Sequence, residues 1–181
     1  MNIEETKKIT LSLIDTFNEA GHVSLSLRKA GLKKEIKTDN TPVTNGDIEV
    51  NKILIKKISE ITPEIIIVSE ENTAHKSDKG LKDFWLIDPI DGTRDYINNR
   101  DEFTLNAALI INRKPALGII TVPAKKRVFY SYGLSNSYEL INGQEINLIG
   151  KKKNYEEFKA VSYSNKLKSE ILEIHKKYNI T

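Results

Sequence analysis

The 181 residues suit one domain of ordinary size, or one domain and a piece of another. Lys and Arg outnumber Asp and Glu by 28 to 25, and a net charge of +3 spread over scattered lysines argues against nucleic-acid binding. The absence of Cys excludes a disulfide framework and a thiolate metal site, and no apolar run approaches the ~20 residues of a membrane span. The start, Met1 to Lys8, lacks the basic and apolar regions of a signal peptide, so a cytoplasmic protein is the default expectation.

Residues 3 to about 30 read as one long helix, because Ile9, Leu13, Phe17 and Ala20 recur at helical spacing and Ile14 widens the stripe. Gly21 is expected to loosen its second half. Lys33 to Asn40 reads as a polar connection, and Thr41-Pro42 forbids a helix there. A second helix is expected after Thr44, since Thr44-Asn-Gly-Asp47 resembles a capping box with Asp in place of Glu, and Ile48, Leu54, Ile55 and Ile58 follow. Thr62-Pro63 ends it before a β-branched strand at 65–68. Beyond residue 84 strands dominate: Leu105 to Ile111, Ala116 to Val122 and Arg127 to Tyr132 are separated by short turn-rich gaps, as in an antiparallel meander. Asn142-Gly143, between Tyr138–Ile141 and Glu145–Leu148, is a type I′ hairpin signal. Lys151–Lys153 reads as a solvated linker, Phe158 to Tyr163 as the start of a new strand, and Lys166 to Tyr178 as a further helix. Helices followed by a run of strands predict an α+β layered fold.

The chemistry is concentrated in Asp88-Pro-Ile-Asp-Gly-Thr93, directly after the apolar run Phe84–Ile87. The expectation is that Asp88 leaves the strand end, Asp91 comes back round a turn, and the Ile90 carbonyl lies between them. Such oxygen ligands suit Mg²⁺, which takes one or two carboxylates and completes its shell with water and phosphate. If a helix follows Thr93, the amides of Gly92 and Thr93 also face an anion. Asp-Pro-x-Asp-Gly is equally good turn composition. A second acidic tip, Ser69-Glu70-Glu71 after Ile65–Val68, favours the metal reading.

Three blocks in order carry a resemblance: Asp39-Asn-Thr-Pro-Val-Thr-Asn-Gly-Asp47, Val68-Ser-Glu-Glu71 and Trp85-Leu-Ile-Asp-Pro-Ile-Asp-Gly-Thr93. The chain resembles the inositol monophosphatase superfamily of Mg²⁺-dependent, lithium-sensitive phosphatases. Arg94 to Ile97 and Glu102 to Asn106 bring it nearer to the bacterial 3'(2'),5'-bisphosphate nucleotidase branch. The resemblance implies the N-terminal domain of that layered fold, two helices packed on a mainly antiparallel sheet. It also implies phosphomonoester hydrolysis assisted by two or more Mg²⁺ ions, with the 3'-phosphate of adenosine 3',5'-bisphosphate as the target.

By that resemblance Glu70, Asp88 and the Ile90 oxygen hold the first ion, while Asp88 and Asp91 hold part of the second. Glu71 is the competing acid beside Glu70. Asp47 and Thr93 orient the attacking water, with Glu70 as the third catalytic residue. Glu70, Ile90, Asp91, Gly92 and Thr93 line the bound phosphate ester. A plain helix-cap acid is the alternative for Asp47, and a helix N-cap for Thr93. Lys37 to Asn40 corresponds to a loop that folds over the site. Arg94 reads as a contact to a second phosphate or as solvated surface; Asn106 and Thr104 read as structural strand residues. His22, His75 and His175 have no ligand spacing.

Relatives continue into a second α/β domain with a Trp-Asp-x-Ala motif supplying a further metal carboxylate, whereas Trp85 is the only tryptophan here. The expectation is therefore an N-terminal domain over 1–153, the start of a second α/β domain over 154–181, and an incomplete second metal site. Two rivals accompany the nucleotidase reading: an inositol or sugar monophosphatase, and an inactive metal-binding half-domain. The partner is a small phosphate ester, and a homodimer is compatible with the family.

Overall fold

The computed structural model describes residues 1–38, 40–72, 80–149 and 167–180. Met1–Ile149 forms one compact unit and Gly150–Thr181 a second. Asp39, His75, the linker at Lys151–Lys153, the boundary expected at 153 and the strand expected from Phe158 lie outside the described residues. In the second unit, helix α4 (Ser169–Tyr178) buries none of its side chains.

The first unit is α+β, with two helices on a seven-stranded sheet. Helix α1 spans Ile3–Ala30 and starts at a capping box in which Asn2 and Glu5 accept each other's backbone N–H. Its buried stripe is Thr6, Thr10, Leu13, Phe17, Ala20, Gly21 and Ser24. Ile9 and Ile14 are only half-buried. Apolar periodicity cannot see the buried hydroxyls, which bond within the helix: Thr10 Oγ1 donates to the Thr6 carbonyl at 2.7 Å and Ser24 Oγ to that of Gly21 at 2.8 Å. The helix is not loosened at Gly21. A Cβ there would stand 3.3 Å from Pro123 Cβ, so the glycine seats the tight turn Pro123–Lys125 against the helix.

The stretch read as a polar connection contains a short hairpin, β1 (Lys34–Ile36) with β2 (Pro42–Thr44). Its exposed first strand has no buried face to give an alternating pattern, so it is held by backbone pairing alone. Helix α2 (Asn45–Ile61) follows and buries Val50, Leu54 and Ile58.

Strand β3 (Ile66–Ser69) pairs parallel with β4 (Phe84–Asp91). Strands β5 (Thr104–Ile111), β6 (Lys114–Val122), β7 (Arg127–Tyr132), β8 (Ser137–Ile141) and β9 (Gln144–Asn147) continue as an antiparallel meander in sequence order. Asn142 and Gly143 both take positive φ, 51° and 76°, as a type I′ turn demands. Alternation along the strands puts Trp85, Ile87, Leu105, Ala107, Leu109, Leu117 and Ile119 into one core with the two helices. Burying each large apolar side chain stabilises the fold by about 1.5–3 kcal/mol. Trp85 also donates its indole N–H to Thr62 Oγ1 at 2.9 Å, joining the sheet to the end of α2. No helix among the described residues is long and apolar enough to cross a membrane.

Candidate active site

The parallel pairing of β3 and β4 decides which side chains meet. Ser69 is level with Ile87, and the Glu70 amide donates to the Ile87 carbonyl at 3.0 Å. Glu70 therefore leaves β3 beside Asp88 on β4. Burial, the neighbouring Glu70 carboxyl and the charges of Asp91 and Asp47 push Asp88 up to about 7. Asp88 Oδ1 is buried with no hydrogen-bond partner.

Asp91 does not return round a turn, as the sequence suggested. Strand β4 runs on through Asp91, and the register against β5 slips between Asp88, opposite Asn106, and Asp91, opposite Thr104. Pro89 and Ile90 on β4 thus face the single residue Leu105 on β5, the signature of a bulge. In a regular strand, positions three apart point to opposite faces; the extra residue restores both aspartates to one face. Pro89, which has no N–H to pair, sits within the slip.

Gly92 follows at φ 90° and caps helix α3 (Thr93–Ile97). A side chain at Gly92 would be strained by that φ, and its Cβ would lie 2.8 Å from the Glu102 carbonyl. Thr93 is the first helical residue and not the N-cap. Its hydroxyl stands 3.0 Å from the Ile90 carbonyl and 3.3 Å from Asp47 Oδ1. Asp47 is both a cap residue and a site residue. Its Oδ2 accepts from the Thr44 amide at 2.8 Å and the Thr44 hydroxyl at 2.6 Å, which leaves Oδ1 toward Thr93. Burial raises the Asp47 carboxyl above its ordinary range, against the opposing bonds from Thr44 and Thr93. Gly46, just before it, lets Tyr96 pack: a Cβ there would come within 2.8 Å of Tyr96 Cε1.

Two further residues reach this cluster: Lys37, from the loop that the resemblance folds over the site, and Asn106, whose strand position alone does not announce it. The β1–β2 hairpin closes through Lys37 N to the Thr41 carbonyl at 2.9 Å. It carries the Lys37 ammonium to 2.8 Å from Glu71 and 3.7 Å from Glu70. The Glu71 side chain is 10% exposed against 45% for Glu70, so Glu71 anchors Lys37 and Glu70 is the acid left at the cluster's mouth. Asn106, read as structural, donates Nδ2 to Asp91 Oδ2 at 3.2 Å. Arg94 is exposed.

The donors fit a hard cation. They are carboxylate and carbonyl oxygens, and one of them, Asp88 Oδ1, is buried and unpartnered. Among the described residues no three acidic or histidine side chains close into a cage by themselves. An ion here would complete its shell from the Ile90 carbonyl, water and ligand, as Mg²⁺ commonly does.

The inositol monophosphatase family model matches residues 5–179. The chain belongs to the inositol monophosphatase family. Among curated relatives, the 3'(2'),5'-bisphosphate nucleotidase CysQ of Aggregatibacter actinomycetemcomitans is 32% identical over 146 residues, 79% of this chain and 54% of that protein. The CysQ of Haemophilus influenzae is 38% identical over 99 residues, 54% of this chain and 37% of that protein. The chain thus spans about half the length of the curated relatives it matches. Among solved structures, CysQ of Bacteroides thetaiotaomicron superposes with a TM-score of 0.69 at 26% identity, covering 95% of this chain and 70% of that one. These matches bear out the family and its α+β fold.

Proposed function

We propose that this chain supplies metal and water-orienting groups for Mg²⁺-dependent phosphomonoester hydrolysis, acting on the 3'-phosphate of adenosine 3',5'-bisphosphate to give AMP and phosphate. The observation that carries the reading is the meeting of Glu70 and Asp88, with a buried oxygen lacking a partner, beside the linked pair Thr93 and Asp47. The nucleotide substrate rests on the curated relatives, which are named as bisphosphate nucleotidases.

Glu70, Asp88 and the Ile90 carbonyl would hold one Mg²⁺, and Asp88 with Asp91 part of a second. Bound there, Mg²⁺ supplies Lewis acidity and lowers the pKa of water. Thr93 has a single hydroxyl proton and two acceptors in reach. With the Ile90 carbonyl engaged elsewhere, that proton goes to Asp47, and the Thr93 oxygen can accept from an attacking water. Thr44 keeps Asp47 from turning away. The first amides of α3 have no acceptor within the helix, and Gly92 leaves them open to a phosphate oxygen.

Among the described residues no closed carboxylate cage forms, which favours a second reading, in which this chain binds metal but turns over poorly on its own. Phosphate release with Mg²⁺ from adenosine 3',5'-bisphosphate and from myo-inositol 1-phosphate tests both. The expected result is slow turnover that prefers the nucleotide. Preference for the inositol ester would replace the substrate assignment with a sugar-phosphate one, and rapid turnover would dismiss the second reading.

A further inference from the structure

We propose that Asn106 is the positioning residue that fixes the Asp91 carboxylate for metal binding; the inference rests on the metal reading above. Asn106 stands on the face of the sheet that carries Asp88 and Asp91, with apolar side chains beside it. Leu86 and Ala108 flank it on that face, and its cross-strand partners are Asp88 on β4 and Ile120 on β6. A half-buried amide among such neighbours is costly unless its polar atoms are used. One of them is: Nδ2 donates to Asp91 Oδ2 at 3.2 Å. The bulge makes this contact available, because it turns Asp91 to the face on which Asn106 stands.

The orientation of the amide follows from its neighbours. Turned over, Asn106 would aim its carbonyl at a carboxylate oxygen, acceptor against acceptor. With the donor end on Asp91, the acceptor end is left over: Asn106 Oδ1 is buried without a partner, as is Asp88 Oδ1 on the residue directly opposite. Two partnerless acceptors on one cross-strand pair are expensive in a fold organised for stability alone. They are reasonable where a cation or its water shell will fill the gap. By tying one Asp91 oxygen, Asn106 leaves the other oriented for an ion, as outer-shell partners of metal ligands commonly do.

The test is Mg²⁺ binding to the full chain by titration calorimetry, paired with thermal unfolding without metal, for the wild type and Asn106→Leu. Leucine keeps the number and branching of the side-chain heavy atoms and suits Leu86, Ala108 and Ile120 beside it, so Tm without metal should hold or rise while Mg²⁺ affinity falls about tenfold. A residue that merely braces the strand would give the reverse pattern, a lower Tm with unchanged affinity, and that result overturns the proposal. Should N106L not fold, N106S carries the same test, since its hydroxyl is too short to reach Asp91; affinity within twofold of wild type would refute the assignment. If the wild-type chain takes up no Mg²⁺, this inference falls together with the metal reading. If the wild type binds and the variants bind equally, only this inference falls.

Discussion

The Lys37 ammonium lies 2.8 Å from Glu71 and 3.7 Å from Glu70, so a side-chain cation already sits at the edge of the acidic cluster. Burial alone would lower its pKa, but the bond and charge of Glu71 outweigh this and the net shift is upward, so Lys37 stays charged. A fixed positive charge a few ångströms from a Mg²⁺ site costs binding energy that even partial screening leaves on the order of 1 kcal/mol. Lys37→Met should therefore raise Mg²⁺ affinity roughly fivefold, measured by calorimetry, and lower the metal-free Tm, because Glu70 and Glu71 lose their counter-charge. A fall in affinity would show instead that Lys37 organises the ligands.

Asp88 ties metal binding to pH. Its carboxyl is raised from an ordinary 3.8 to about 7, first by burial and then by Glu70. The folded, metal-free chain thus holds a proton that the unfolded chain has released. The stabilisation linked to it is complete below pH 4 and is lost as pH climbs through about 7. Without metal, Tm should decline between about pH 4 and pH 7 and level off above. Asp88→Asn should flatten that decline and abolish Mg²⁺ binding. Wild-type Mg²⁺ binding near pH 6.5 should release protons, visible as a calorimetric heat that varies with the buffer's ionisation enthalpy.

Gly92 and Gly46 are required for different reasons. Gly92→Ala forces a side chain into φ 90° and against the Glu102 carbonyl, which should cost roughly 2–4 kcal/mol by chemical denaturation. Gly46→Ala drives a methyl into the Tyr96 ring and disturbs the Tyr96 hydroxyl, which donates to the Ser24 carbonyl at 2.6 Å. Its cost should be about 1–3 kcal/mol. Equal, negligible losses for both would contradict the packing described.

Thr93 separates chemistry from binding. Thr93→Val keeps the shape and removes the hydroxyl that reaches Asp47. Phosphate release should fall by about 10²–10⁴-fold, the usual range for a lost proton-transfer group, while Mg²⁺ affinity changes by less than about threefold. Thr93→Ser should retain most of the rate. Loss of rate in both variants would assign Thr93 to packing.

Much of this molecule was readable locally. The helical stripe of Leu13, Phe17 and Ala20, the Thr44–Asp47 capping box, and the Asn142-Gly143 turn each depend on residues within a few positions of one another. The α+β meander follows from such signals, and so does the clustering of acids at strand tips. The residues left unread are those whose neighbours are distant in the chain. Asn106 looked like an ordinary strand residue because its partner Asp91 lies across a bulge that nothing in its own strand announces.

From its sequence alone the protein has its helices, its central strands and the kind of ligand atoms it offers, since periods of two and 3.6 and the capping and turn chemistries are properties of short stretches. Tertiary structure alone put Asp88 and Asp91 on one face, placed Glu70 at the mouth of the cluster with Glu71 behind Lys37, and turned Asn106 toward the carboxylates. Those outcomes depend on strand order, register and one inserted residue. Pairing free energies summed over the whole sheet settle these, and no window of the chain contains them.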